Sequence, residues 1–446
     1  MRKINTFLIN IIIILAFTEG AISLIGPSES SMRTLRELLI IIIFISSFFQ
    51  SPNTNNLLVG SLKKYRKLGK YYIFSLFAVA IISMIYNAKD FVEFFLFFLR
   101  VLPPILFFWA LTKINFNVSK VLRLLKILII IQIPAVIIKF LIIGVSESGG
   151  IGTMSIHSGS LSTIFPLFII SFFFSMYLSR KNKKYIVFIF IYLMFGLIGG
   201  KRALIVYTPL LLLFILVIYK KVFNVKVKTS FTKQIIGLFL LGFICFYFIA
   251  RINPNLNPEE KIGGSFDFEY IIDISTEYNS FKGELGFSRT DAPEVLFNFL
   301  TKNKPINFLL FGMGPGDIIQ SSLLNNKYPG VENDRQLLMY KYGLGYGLRV
   351  GVLWTAIQVG ILGALIYGLF FFKITHTMFK ILKNSNNNIT KEYALGLTGM
   401  GFVLLVDYFT YSSTFFYSGA ISNSFFLLTV IVIKRFSDEK KGLLLN

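Results

Sequence analysis

The sequence predicts an all-α polytopic membrane protein of about twelve transmembrane helices, and three observations predict it. First, 54% of the 446 residues are hydrophobic and only 15% are charged, against about a quarter charged in soluble domains. Second, apolar runs such as 11–15, 94–108, 164–178 and 210–219 extend, with their neighbours, to the roughly 20 residues that a helix needs to cross a bilayer. Buried strands rarely exceed about ten residues, and a membrane demands that each segment satisfy its own backbone polar groups. Third, the basic residues are clustered in alternate loops, which orients the helices as well as counting them.

The first helix, about residues 4–25, has the basic start of a signal peptide (Arg2, Lys3), but the many spans after it mark it as a retained first span. Basic clusters then follow the second span at 63–70, the fourth at 113–126, the sixth at 180–184, the eighth at 220–233 and the tenth at 373–391, and the tail carries another at 434–441. These loops and both termini are therefore expected in the cytoplasm of a bacterial inner membrane. The second span, near Leu35–Phe49, is short, and Tyr408–Phe416 reads either as a turn or as a kinked continuation of span eleven. The formal charge of +23 would suggest nucleic acid in a soluble protein; distributed beside apolar helices it reads as membrane orientation, so no nucleic-acid partner is expected.

Three regions result: residues 1–250 with spans one to nine, a large extracytoplasmic loop at 251–345, and residues 346–446 with spans ten to twelve. The loop holds 12 acidic and 9 basic residues, net −3, leaving 10 acidic and 36 basic elsewhere, net +26. Long translocated loops are not bound by the charge rule. A segment of this length is expected to be partly folded, with helices at Ala292–Thr301 and Arg335–Tyr342 and an amphipathic stretch at Phe266–Ile274 lying on the membrane. No internal repeat is evident, which weakens transporter folds built on inverted repeats.

Residues that break the charge rule are the informative ones. Lys201 and Arg202 occupy the glycine-rich turn 196–202 on the outer side, between spans seven and eight. A guanidinium presents a donor fork matched to phosphate oxygens, although cations at headgroup level also simply snorkel. His157 lies in the glycine-rich outer loop before span six, where an imidazole serves as general base or polar ligand; an isolated loop histidine is more often merely solvated. His376, in a basic cytoplasmic loop, is assigned no role. Arg289 is another outer cation, placed either for an anionic lipid-linked substrate or for ordinary pairing with Asp291 or Glu294.

Gly312, Gly314 and Gly316 lack the strand–helix context of a dinucleotide fingerprint and read as close turns. Intramembrane ionisable groups are candidates by default. These are Arg36 and Glu37 near an interface, Arg100 with a snorkelling option, Lys139, Arg349 near the outer surface, and Asp407. The single cysteine, Cys245, provides neither a disulfide nor a thiolate site. No carboxylate pair has metal-ligand spacing within a span, so neither metal nor cofactor is expected.

Several motifs together resemble the O-antigen ligase/polymerase superfamily, and within it Wzy-type polysaccharide polymerases. Residues 199–204 are similar to the family's arginine-containing turn. Ser288-Arg289 followed by the 311–316 segment resembles its loop arginine and downstream glycine element. Residues 356–363 resemble the span leaving the large loop, and 157–166 the histidine-containing entry to span six. One departure is that Arg349-Val350 stands where relatives often carry a His-Asn pair prominent in ligases, which disfavours a ligase and leaves the general base open.

The resemblance implies a GT-C-like fold, a membrane-lipid environment and a glycosyltransferase that is independent of metal. The donor would be a growing glycan on undecaprenyl diphosphate, and a chain-length regulator protein would be a partner. Arg202 and Arg289 would grip the diphosphate with Lys201 and Arg349 assisting, so that preorganised cations stabilise the leaving group. His157, or a loop carboxylate among Asp291, Glu332 and Asp334, would accept the proton of the attacking hydroxyl. Two other classes compete: a lipid-linked oligosaccharide flippase, which should have short external loops, and a membrane scaffold, for which no recognition motif is apparent.

Overall fold

The computed structural model describes residues 1–49, 58–144, 149–156, 159–201, 203–223, 237, 240, 243–244, 246–248, 250–273, 291–319, 331, 334–344, 348, 350–412 and 414–440. Among them there is no strand. The helices in chain order are α1 (Arg2–Ser23), α2 (Glu29–Ser46), α3 (Leu58–Tyr86), α4 (Phe91–Val101), α5 (Pro103–Lys113), α6 (Val118–Ile143), α7 (Leu161–Arg180), α8 (Lys184–Ile198) and α9 (Ala203–Phe223). After them come α10 (Ala292–Thr301), α11 (Ile306–Phe311), α12 (Asp334–Tyr342), α13 (Gly351–Asn384), α14 (Asn388–Val406), α15 (Thr414–Tyr417) and α16 (Gly419–Lys440).

Successive long helices run antiparallel, so the bundle has two distinct ends. At one end the Ala21 N–H donates to the Thr153 carbonyl (3.0 Å), Asn253 Nδ2 to the Gly200 carbonyl (3.3 Å), and the Gly351 N–H to the Ser412 carbonyl (3.2 Å). This is the loop end, because Asn253 and the 311–316 segment pack there. At the other end Asn5 Nδ2 donates to the Asn115 carbonyl (3.0 Å), Lys434 Nζ to the Ile114 carbonyl (3.1 Å), and Arg180 grips Glu392 through two bonds of 2.7 and 2.9 Å. Both the start of α1 and the finish of α16 lie at this basic end.

Among the described residues, eight helices are long and apolar enough to cross a membrane, or nine if α4 and α5 count as one span bent by 55°. The bend has a local cause. Pro103 and Pro104 open α5, and a proline inside a helix removes a hydrogen bond and clashes with the carbonyl four residues back. The remaining expected spans fall on α2, which carries Glu29, Arg33, Arg36 and Glu37, on the 15-residue α8, and on 237–252, which is only partly described.

Helices α7 and α16 sit at the centre of the bundle, whereas α3 presents Phe74, Ile82 and Ile85 outward and α6 presents Ile130, Ile137, Ile138 and Leu141. Lipid tails are as apolar as leucine, so close packing and interhelical hydrogen bonds must hold such helices together. Gly396 lies against Phe172 and Gly399 against Ile215, and Ser171 Oγ donates to the Gly396 carbonyl (2.6 Å). Tyr408 to Phe416 is neither a simple turn nor a plain continuation. α14 runs on as a π-turn over Asp407–Tyr411, and the short α15 follows at the loop end. The expected loop helices form at Ala292–Thr301 and Asp334–Tyr342, and residues 268–273 are helical within the expected amphipathic stretch.

Candidate functional site at the loop end

The organising feature of the loop end is a break in α13. Val359 (φ −126°, ψ 19°) and Gly360 (φ 70°, ψ −178°) leave the helical region, which frees the carbonyls of the preceding turn. Residues 311–316 fill the gap. The Met313 N–H donates to the Ile357 carbonyl (2.7 Å) and the Gly314 N–H to the Gln358 carbonyl (3.0 Å). The Gly316 N–H donates to Gln358 Oε1 (3.1 Å). From α3, Ser83 Oγ donates to the Phe311 carbonyl (2.5 Å) and Asn87 Nδ2 to the Gly312 carbonyl (3.1 Å).

Irregular backbone at such a position is tolerated only where protein satisfies it, and here the Ile357 and Gln358 carbonyls both accept from the docked segment. The fit needs glycine. A Cβ on Gly360 would run into the Leu310 carbonyl, and one on Gly312 would lie 2.6 Å from the Gly360 nitrogen.

This interlock delivers Asp317 to the turn between α3 and α4. Asp317 is 1% exposed. Its carboxylate accepts from Lys89 Nζ and from the Tyr342 hydroxyl, and Lys341 Nζ donates to it at 3.2 Å and to its carbonyl at 2.7 Å. Around this knot lies a cavity of about 420 Å³, lined by Lys89, Asp90, Glu93, Asp317, Lys341 and Tyr342, with Asn87 at its edge. Tyr342 also packs edge-on against Phe299 of α10 (5.3 Å between centroids), so both loop helices brace the cavity. Behind them Lys304 sits over the Phe299 ring at 3.6 Å, and burial lowers its ammonium pKa.

A second cluster surrounds the α8–α9 turn. Lys201 is buried, and its N–H donates to the Gly196 carbonyl (3.0 Å). Gly199 abuts Ser162 at the start of α7, and Gly150 abuts the end of α8. The stretch before 157 is pinned from several sides. Gln132 Oε1 accepts from the Thr153 N–H (2.9 Å), Lys139 Nζ donates to the Ser155 carbonyl (3.1 Å), and Glu29 accepts from Ser155 Oγ (3.0 Å) and from the Ile156 N–H.

Arg36 and Glu37, expected near an interface, are both buried within the bundle. Arg36 pairs with Glu19 of α1, Arg33 Nε lies 3.7 Å from Glu19, and Arg36 lies 3.9 Å from Glu37. Arg100 is within electrostatic reach of these carboxylates rather than acting as a snorkelling residue alone. The reason is pairing: buried charges persist only with partners.

Of the site residues expected from sequence, Lys201 stands in the second cluster. Asp291 immediately precedes α10, and Asp334 opens α12, whose far end supplies Lys341 and Tyr342. His157, Arg202, Arg289, Glu332 and Arg349 lie outside the described residues. Sequence reasoning missed Lys89, Glu93, Asp317, Lys341 and Tyr342. Lys89 carried a usable signal, because it is a cation in a short turn at the same end of the bundle as Lys201, and a cation in such a turn was the criterion that selected Lys201. The comparison with protein-family models finds no match, and neither does the search of curated proteins.

Proposed function

We propose that the protein polymerises undecaprenyl-diphosphate-linked oligosaccharide repeat units into a surface polysaccharide on the outer face of the bacterial inner membrane, by metal-independent glycosyl transfer. The observation that carries this reading is the docking of residues 311–316 into the break at Gln358–Gly360. Two segments that separately resemble parts of polysaccharide polymerases act as one unit, and that unit holds a polar cavity against the end of the bundle.

In this reading the chain spans the membrane twelve times in a GT-C-like arrangement with its basic end in the cytoplasm. Two features support the count. Phe223 lies under Lys391 at the basic end while Asn253 bonds Gly200 at the loop end, so these two residues stand at opposite ends; α2 and α8 each connect one end to the other. Arg202 and Arg289 hold the diphosphate, assisted by Lys201 and Arg349. His157 or one of Asp291, Glu332 and Asp334 takes the proton as the acceptor hydroxyl attacks the anomeric carbon and the lipid diphosphate leaves.

A flippase for the same lipid-linked glycan is the second reading, favoured by the two broken spans at Leu102 and Gly360, since discontinuous helices form many transport sites. Gene deletion followed by sizing of the surface glycan separates the two. Loss of long chains with single repeats retained supports polymerisation, whereas loss of all surface glycan supports the flippase. Transfer of finished chains to a lipid core, the ligase reaction, would instead leave full-length chains accumulating on undecaprenyl diphosphate.

A further inference from the structure

The stretch that follows Ala250 has a small core of its own. Ala250, Leu256 and Ile271 are buried together, with Met194 of α8, Phe246 and Phe266 packed around them. Two side chains clasp the chain reversal between 251 and 264. Asn257 is wholly buried; its Nδ2 donates to the Asn253 carbonyl (3.0 Å) and the Lys261 carbonyl (2.9 Å), and its Oδ1 accepts from the Lys261 N–H (3.2 Å). Arg251 Nε donates to the Gly264 carbonyl (3.0 Å), and the Gly263 N–H donates to the Arg251 carbonyl (2.7 Å). The chain leaving Gly264 is thereby held beside the helix it came from.

Aromatic contacts show how far it returns. Phe266 packs against Tyr247 (5.4 Å between centroids), Phe246 (5.5 Å) and Phe243 (6.4 Å). Tyr247 and Phe243 precede Arg251 by four and eight residues, so at 1.5 Å per residue Phe266 lies about 6–12 Å along the helix from Arg251. This part of the helix has the surface of a span in contact with lipid. Residues 235–250 include no charged residue. Leu240, Phe243, Ile244, Tyr247 and Phe248 are exposed, at the i, i+3, i+4, i+7, i+8 spacing of one helix face. Beside that stripe residues 268–273 are helical, and the Tyr270 N–H donates to Asp267 Oδ1 (3.1 Å). Ile271 joins the small core, whereas Phe268 and Ile272, one turn apart, are exposed.

We propose that residues 266–272 are a lipid anchor: Phe268 and Ile272 insert among the acyl chains of the leaflet at the loop end, at a depth set by the Arg251–Asn257 clasp. The inference goes beyond the proposed reaction and does not depend on it. Continuity chooses lipid as the occupant, because the exposed pair extends an apolar stripe that already runs along an uncharged span. Depth agrees, since interfacial helices bury their apolar face about 5–10 Å into the headgroup and acyl boundary. The polar residues agree as well. Glu269 and Asp273 are exposed and lie roughly 100° around the helix from the Phe268–Ile272 pair, so they stay in water while the pair enters lipid.

The test uses the full chain in liposomes of phosphatidylcholine and phosphatidylglycerol. The single cysteine is removed by Cys245→Ala, and a nitroxide label is attached in turn at Phe268→Cys, Ile272→Cys, Glu260→Cys and Asp273→Cys. Collision of the label with dissolved oxygen, which concentrates among acyl chains, is compared with collision with a water-soluble nickel chelate. The expected oxygen-to-nickel ratio at Phe268→Cys and Ile272→Cys is about fivefold or more above that at Glu260→Cys and Asp273→Cys. Asn257→Ala should pull the Phe268→Cys ratio down toward the Glu260→Cys value. Each labelled chain is checked by gel filtration, and having two anchor positions keeps the test decisive if one label disturbs folding. The proposal is overturned by free access of the nickel chelate to both anchor positions, which would put the helix in water. It is also overturned by exclusion of both reagents, which would mean cover by protein such as a second copy, or by a ratio that Asn257→Ala leaves unmoved.

Discussion

Gln358 and Gly316 lie 42 residues apart and meet at 3.1 Å, the side-chain oxygen of the first accepting the backbone N–H of the second. The amide nitrogen of Gln358 is anchored on the Trp354 carbonyl at 3.1 Å, so the oxygen is aimed rather than free to turn. Gln358 is wholly buried, which makes it the pivot between the broken span and the large loop. Replacing it with leucine strands the Gly316 donor away from water. A buried unsatisfied group costs about 1–3 kcal/mol, and the loss should concentrate in the 311–317 segment. Limited proteolysis in detergent should show cleavage near residue 317 accelerating by about tenfold or more, with a modest fall in the global melting temperature. Unchanged cleavage would mean that the backbone bonds from Met313 and Gly314 suffice without the side chain.

Gly360 tests the same interlock from the backbone. Alanine there is penalised by a positive φ with extended ψ (70°, −178°), a region essentially reserved for glycine at about 1–3 kcal/mol, and by collision with the Leu310 carbonyl, which cannot yield without displacing α11. Gly69, in α3, is the control. An alanine there makes ordinary contacts at 3.5 Å with Phe108 and Trp109 and gains up to about 1 kcal/mol of helix propensity. Gly360→Ala should therefore lower the melting temperature and abolish the long-chain glycan ladder at equal expression, while Gly69→Ala keeps both. Equal behaviour of the two variants would mean that the break in α13 is dispensable.

Much of this architecture was legible in the sequence, and what was not has a physical reason. Long apolar runs bounded by basic clusters marked α1, α3, α6, α7 and α16, because hydropathy and charge are local properties. The Gly312, Gly314 and Gly316 turns were legible as turns, but the groove that receives them was not. Gly360 reads as one more glycine in an apolar helix until its partner, Leu310, is beside it.

The Asp317 knot joins residues 228 positions apart, Lys89 to Asp317, a distance no periodicity reports. The partners of Arg36 and Glu37 were hidden for a different reason. Arg36 reaches its neighbour Glu37 only at 3.9 Å, and its closer partner, Glu19, comes from across the α1–α2 hairpin, a pairing that local sequence does not report.

That hairpin offers a stability test independent of function. Glu19 is buried and faces Arg36 and Arg33. Removing one member of a buried pair typically costs about 3–5 kcal/mol, while replacing the whole pair with apolar groups is often neutral. Glu19→Gln should sharply reduce folded protein recovered in detergent, and Glu19→Leu combined with Arg36→Met should recover most of it. By contrast, Arg180 in the bidentate pair with Glu392 is 46% exposed at its side chain although Glu392 is only 4% exposed, so water can reach the gap and Arg180→Gln should cost less than Glu19→Gln, about 1–3 kcal/mol. A double variant as unstable as Glu19→Gln would show that Arg33, Arg100 and Glu37 need the pair as a unit.

Lys304 gives the pH-dependent test, and its sign follows from burial. Packing between Phe299 and Phe308 removes water from the ammonium and lowers its pKa from the ordinary 10.5. Between that lowered value and 10.5 the folded protein binds fewer protons at this site than the unfolded chain, so stability from this group rises with pH. Below the lowered value the penalty for holding a desolvated cation is fully present. Lys304→Met keeps the length and the contact with both rings but carries no charge. The variant should melt higher than the wild type at neutral pH, and the gap should close as pH rises toward 10.5. A gap that stays constant, or a variant that melts lower at neutral pH, would mean that attraction of the ammonium to the Phe299 face outweighs its loss of water.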